Sequence, residues 1–241
     1  MDWLVRTELL LGEEKLNRLK KSNIVVVGLG GVGAYAAEQL CRSGVGKMTI
    51  VDSDVVENSN RNRQLSALIS TMNKPKADVL AQRFLDINPE LKLIVVKDYI
   101  HDEEILELLK SQPFDYVVDA IDTLTPKIFL IQHALQLELK VVSSMGAGGK
   151  LDPSCIRVSD ISKSYNCKLA RMLRKRLGKF DIKTGVQVVF STEKVNEKAV
   201  RLEEGQNKKS TVGTISYMPA IFGCFLSSVV IQDLIQIKLK N

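Results

Sequence analysis

Metal-ligating side chains are scarce in this chain, which has two histidines, His101 and His133, and four cysteines, Cys41, Cys155, Cys167 and Cys224, with no C-x-x-C pair. Their spacing closes no four-ligand site, which argues against a structural zinc. Prolines number only six and aromatics 5%, and no Pro-, Gly- or Ser-rich linker, internal repeat or low-complexity tract interrupts the 241 residues. Disordered and fibrous classes fall with those absences, because 45% apolar and 26% charged residues suffice for a full core. The start of the sequence shows no charged segment leading into an apolar one, so the expectation is a cytoplasmic protein with reduced thiols.

Charge is missing altogether from 210–232, a stretch that has to be weighed as a membrane helix. Between Pro219 and Asp233 only about a dozen residues are available, short of the ~20 that span a bilayer. The continuation through Asp233 and Lys238 is amphipathic. A helix buried on a core is expected, with no stable membrane insertion.

Apolar, β-branched runs of strand length recur at 23–27, 48–51, 93–96, 116–119 and 141–144. Segments of helical periodicity lie between them at 32–42, 76–87, 102–111 and 126–137, after a leading amphipathic helix at 8–20. Alternation of this kind predicts an α/β fold, a doubly wound, Rossmann-like, mostly parallel sheet. After Gly146-Ala147-Gly148-Gly149 the pattern changes to short strands near 156–158 and 186–190, a charged helix between them, and the apolar C-terminal helix. The division expected is a nucleotide-binding domain over 1–150 and an extension over 151–241 packed on the same sheet, with 193–210 as a mobile loop.

The first strand runs into Gly28-Leu29-Gly30-Gly31-Val32-Gly33, and the next ends at Asp52. Such glycines allow a tight turn and close approach of backbone to a phosphate, the following helix offers free N–H groups, and a carboxylate at Asp52 suits ribose hydroxyls. A nucleotide site follows; glycines serving only helix–strand packing are the bland alternative. After Asp54 come the cations, in Asn60-Arg61-Asn62-Arg63-Gln64 and Lys74-Pro75-Lys76. Planar Arg63 and Lys76 at a helix start suit a phosphate chain, although residues of these types are most often solvated surface. The fourth strand ends in Asp119-Ala120-Ile121-Asp122, making Asp122 the magnesium candidate and Asp119 a strand-end cap. The fold by itself leaves open a nicotinamide oxidoreductase, an adenylating enzyme or a non-catalytic nucleotide sensor.

These motifs, with Ile87-Asn88-Pro89, resemble the E1-like adenylating enzymes related to the activators of molybdopterin and thiamine sulfur carriers. Arg6-Thr7-Glu8-Leu9-Leu10-x-Gly12, Ser144-Met145-Gly146-Ala147 and Lys150-x-Asp152-Pro153 through Asp160-Ile161-Ser162-Lys163 resemble, within it, the tRNA threonylcarbamoyladenosine dehydratase branch. The resemblance implies ATP and Mg2+ as cofactors, adenylation of the threonyl carboxylate of a modified adenosine next to the anticodon, and displacement of AMP by the tethered carbamoyl group. It assigns Gly28, Gly30, Gly31, Gly33, Asp52, Asp54, Asn60, Arg63, Gln64, Lys76 and Asp122 to ATP, with Arg63, Lys76, Asp122 and Arg6 catalytic. Arg6 implies a homodimer in which it reaches the neighbouring ATP site. A monovalent cation and a sulfur-transfer protein partner are admitted by the resemblance but rest on no motif. Asn166-Cys167-Lys168 departs from the Asp-Pro pair of many relatives. The rival substrate is the C-terminal glycine of a ubiquitin-like sulfur carrier, whose activators commonly hold zinc through C-x-x-C pairs.

Charge supplies an independent pointer to RNA. Residues 163–183 hold eight basic and one acidic residue, a balance of +7, while the whole chain stands at +6. Lys168, Arg171 and Lys175 recur at i, i+3 and i+7 and share a helical face; with Lys163 and Arg174 they are the expected tRNA contacts. No thiol or histidine is given a catalytic role.

Overall fold

The structure is a computed structural model that describes residues 3–202 and 210–236. Runs rich in Val and Ile form β1 (Asn23–Val27), β2 (Lys47–Val51), β3 (Lys92–Val96), β4 (Tyr116–Asp119) and β5 (Lys140–Ser144), all parallel. The later strands β6 (Ile156–Asp160) and β7 (Gln187–Ser191) extend the same sheet, β7 parallel to β5 and β6 antiparallel at the edge. The strand order is β3-β2-β1-β4-β5-β7-β6. Central β1 and β4 are buried throughout, which is why they read as unbroken apolar runs.

Two helical layers cover the sheet. On one face α3 (Gly33–Arg42), α4 (Lys76–Ile87) and α8 (Tyr217–Leu234) pack with Ile24 and Val26 of β1; on the other α5 (Asp102–Lys110), α6 (Leu124–Gln136) and α7 (Lys168–Leu177) pack with Val25 and Val27. The alternation of β1 side chains thus feeds two separate cores.

Three expectations are corrected. The single leading helix becomes α1 (Val5–Leu11) and α2 (Glu13–Lys21), because Gly12 takes φ +81° and its N–H closes α1 on Glu8 O at 2.7 Å. The loop expected over 193–210 is a structured strap where it is described: a 3-10 turn at Glu197–Ala199, then β8 (Val200–Leu202) paired antiparallel with β9 (Ser210–Val212). Its 203–209 segment lies outside the described residues, as does the amphipathic continuation beyond 236. Asp119 is more than a cap, as shown below.

The apolar α8 is long and apolar enough to cross a membrane by length and composition, yet it buries Met218, Phe222, Leu226, Val229 and Val230 in the core. Gly223 makes this packing possible, since a Cβ there would lie 2.5 Å from Val32 O, just before α3. At its far end Asp233 accepts a 2.9 Å hydrogen bond from Tyr116 Oη.

Candidate nucleotide site and basic flank

The glycines of the first turn divide by what surrounds them. Gly28 sits at φ +88° with Ala120 O 2.8 Å from where a Cβ would stand, and a Cβ on Gly33 would fall 1.7 Å from Gly28 O. These two are demanded by the fold. Gly30 faces open space, its nearest neighbour being Gln64 Nε2 at 3.9 Å, and that is the opening through which a phosphate can approach backbone N–H groups. Gly31 touches the start of α8 at Pro219 and the Arg63 side chain.

Asp52 clamps this turn: its Oδ2 accepts from Leu29 N at 2.6 Å and its Oδ1 from Asp54 N at 2.9 Å. Burial pushes its carboxyl above the usual range, opposed by these hydrogen bonds and by nearby Lys76. Lys76 is buried, and its Nζ lies 2.7 Å from Asp54 Oδ2 at the solvent rim. The solvated-surface alternative therefore fails for Lys76. Asn60 is buried too, its Oδ1 accepting from Glu57 N at 3.1 Å, while Arg63 Nη1 donates to Ser59 O at 2.8 Å and to Asn62 Oδ1 at 2.9 Å. Gln64 Oε1 is buried without a hydrogen-bond partner.

At the end of β4, Asp119 is fully buried, 2.6 Å from Lys127 Nζ and from Ser143 Oγ, and also accepts from Ile121 N at 3.1 Å. Lys127 is thereby committed to the sheet. Asp122 is exposed beyond it. No group of three or more potential metal-ligating side chains exists among the described residues. Asp122 alone fits Mg2+ only in company with ligand phosphates, the ion's usual mode of binding at nucleotide sites.

Arg6 is exposed on α1, as are Leu9 and Leu10, each 83% exposed, with Trp3 at 47% just before the helix. Of the predicted flank, Lys163, Lys168, Arg171 and Lys175 are exposed, and α7 buries Ala170, Leu173 and Leu177 beneath. Arg174 differs: its Nη1 donates to Ser164 O at 2.8 Å, to Ser164 Oγ and to Ile161 O, bracing the loop before α7. Sequence reasoning gave no role to Lys150, which is buried with its ammonium donating to Glu193 O and to Asn166 O. Burial holds its pKa below that of an ordinary lysine. The available signal was a lone lysine after Gly148-Gly149 in an otherwise uncharged stretch.

Comparison with known proteins resolves the adenylating alternative. The ThiF family model matches residues 4–241. The chain belongs to the ThiF family. This ThiF-family chain is 41% identical over 245 residues to tRNA threonylcarbamoyladenosine dehydratase of Bacillus subtilis, covering 98% of this chain and 96% of that one. The solved structure of Escherichia coli tRNA N6-threonylcarbamoyladenosine dehydratase in complex with ATP has 35% identity and a TM-score of 0.87, over 96% of this chain and 93% of that one. The adenylyltransferase and sulfurtransferase UBA4 of Saccharomyces cerevisiae is 29% identical over 150 residues, 62% of this chain and 34% of its own length.

Proposed function

We propose that the protein is an ATP-dependent tRNA-modifying dehydratase that cyclises N6-threonylcarbamoyladenosine next to the anticodon. The full-length likeness to relatives named for that activity carries the reading; buried Lys76, paired with Asp54 at the rim near an open glycine turn, gives it a physical basis. Residues 1–150 do the nucleotide work and 151–241 the tRNA work.

ATP binds with its phosphates at the backbone around Gly30 and Gly31, at the start of α3, in a turn that Gly28 and Gly33 shape. A carboxylate offers about four acceptor sites, so Asp52 holds the turn and still accepts from ribose hydroxyls. Asn60, Arg63, Gln64 and Lys76 engage the nucleotide, Lys76 exchanging its bond to Asp54 for a phosphate oxygen. Asp122, with the phosphates, would hold Mg2+, which when bound would neutralise charge on the triphosphate. The threonyl carboxylate attacks the α-phosphorus and the bond to pyrophosphate breaks. The tethered carbamoyl group then attacks the acyl carbon and loses its proton, and the former carboxylate oxygen departs with AMP, so the nucleoside loses one water overall. An internal nucleophile needs little beyond positioning.

The exposed apolar face of α1 favours a two-fold homodimer, with the partner subunit's Arg6 completing the ATP site. Lys163, Lys168, Arg171 and Lys175 attract the tRNA backbone while Arg174 shapes the loop. A tRNA substrate is consistent with cytoplasmic work. The test is incubation of threonylcarbamoyladenosine-bearing tRNA with protein and MgATP, followed by nucleoside mass spectrometry. Loss of one water that depends on ATP is expected. Pyrophosphate exchange with unchanged tRNA would transfer the reading to a protein carboxylate, and neither reaction would remove adenylation altogether.

A further inference from the structure

A cleft of about 650 Å³ opens between the start of α7 and the strap after β7, lined by Tyr165, Lys168, Arg171, Arg174, Lys194 and Val195 among others. Its size falls within the range of about 300–1,000 Å³ typical of ligand pockets. Asn166 Nδ2 donates to Thr192 O at 2.7 Å, just past the carboxyl end of β7, so the cleft lies toward the carboxyl end of the parallel strands, where Asp52 follows β2 and Asp122 follows β4. Lys150 ties the two walls together from below, through Glu193 O on the strap and Asn166 O on the loop. The cleft is thus built into the fold before any ligand arrives.

Tyr165 is the unusual member. It is 54% exposed, yet its ring stands edge-on to buried Phe190 with centroids 5.7 Å apart at 69°. An aromatic ring held in place but open to solvent, ringed by exposed Lys168, Arg171 and Lys194, combines the two features that bind single-stranded nucleic acid: a stacking surface and cations for the flanking phosphates. From the cleft, α7 continues with Lys175 and Arg176, and Lys179 follows, prolonging the cationic track down the flank.

We propose that this cleft receives one unstacked base of the tRNA's single-stranded loop, with Tyr165 stacking on the base and Lys168, Arg171 and Lys194 holding the phosphates beside it. The proposal rests on the tRNA reading above and adds to it a pocket, a stacking residue and Lys194. Double-stranded RNA keeps its bases stacked inside and can use only the cationic track.

The test is fluorescence anisotropy at fixed salt with two RNAs of equal length, a hairpin carrying an unpaired loop and a blunt duplex, against wild type, Tyr165→Ala, Tyr165→Phe and Lys194→Glu. Tyr165→Ala is expected to weaken hairpin binding about 10- to 100-fold and duplex binding less than about 2-fold, with Tyr165→Phe close to wild type. Lys194→Glu weakens hairpin binding in a salt-dependent manner. Thermal unfolding of each variant checks that the fold is kept, and Tyr165→Phe tests stacking without removing the ring. Equal losses on both RNAs, or none with Tyr165→Ala while wild type dehydrates tRNA, would overturn the pocket and leave the activity standing. Failure of wild type to bind either RNA would remove the tRNA reading and the pocket together.

Discussion

Over β1, β2 and β4 the buried cations are paired with carboxylates, Lys127 with Asp119 and Lys76 with Asp54, at 2.6 and 2.7 Å. Along α7, by contrast, Lys168, Arg171 and Lys175 stand exposed with no ion pair among the described residues. The first region is organised before its ligand arrives, which suits chemistry needing fixed charge; the second offers a field, which suits a polyanion whose affinity follows salt. The same residue types therefore answer differently to substitution in the two places.

The strongest break is Lys127→Met. It leaves Asp119 charged and fully buried with only Ser143 and Ile121 N as partners, and a loss of about 3–5 kcal/mol in urea unfolding is expected. A loss below about 1 kcal/mol would mean that the pair does not anchor the end of β4. Lys76→Met separates chemistry from folding within the same region. Its partner Asp54 lies at the rim with 68% of its side chain exposed, so stability should fall by no more than about 1 kcal/mol. Pyrophosphate exchange should fall about 10²–10³-fold.

On the flank, Lys168→Glu with Arg171→Glu should leave unfolding and ATP affinity near wild type while lowering tRNA affinity and flattening its salt dependence. The slope of log affinity against log salt should decrease by about one per phosphate contact removed, read from titrations at several salt concentrations. An unchanged slope would deny these two residues a role on the backbone.

How much of this was legible beforehand follows the same divide. The strands of the sheet were readable because buried parallel strands must be continuous apolar runs, and the glycine turn because Gly28 and Gly33 admit no Cβ. What pattern could not show was pairing at a distance in sequence. Nothing local says that Lys127 belongs to Asp119 rather than to a phosphate, or that Lys150 joins Asn166 to Glu193 across 16 and 43 positions. Gly12 was visible as a residue, but its positive φ breaks a helix whose amphipathic pattern runs straight through it. Arg174 belongs to the same cationic run as exposed Lys168, Arg171 and Lys175 and is spent on the loop before α7, a distinction that only geometry makes.

Exposed Lys168, Arg171 and Lys175 do not hold the flank together; besides Arg174, which braces the loop before α7, Asp160 at the end of β6 is the candidate. Its Oδ1 accepts from Ser162 N at 2.9 Å and Ser162 Oγ at 2.6 Å, and its Oδ2 from Gly185 N at 2.6 Å. Burial works against its charge, but these hydrogen bonds win and hold the carboxyl below the usual carboxylate range. A carboxyl lowered by folding stabilises the protein above its unfolded pKa of about 3.9, and that contribution disappears as pH falls through the lower folded value. Asp160→Ala should therefore cost about 1 kcal/mol at neutral pH, in the range of a lost cap, and the gap to wild type should close as unfolding is measured from about pH 4 downward. A gap that stays constant with pH would assign the stabilisation that Asp160 gives to shape rather than to its charge.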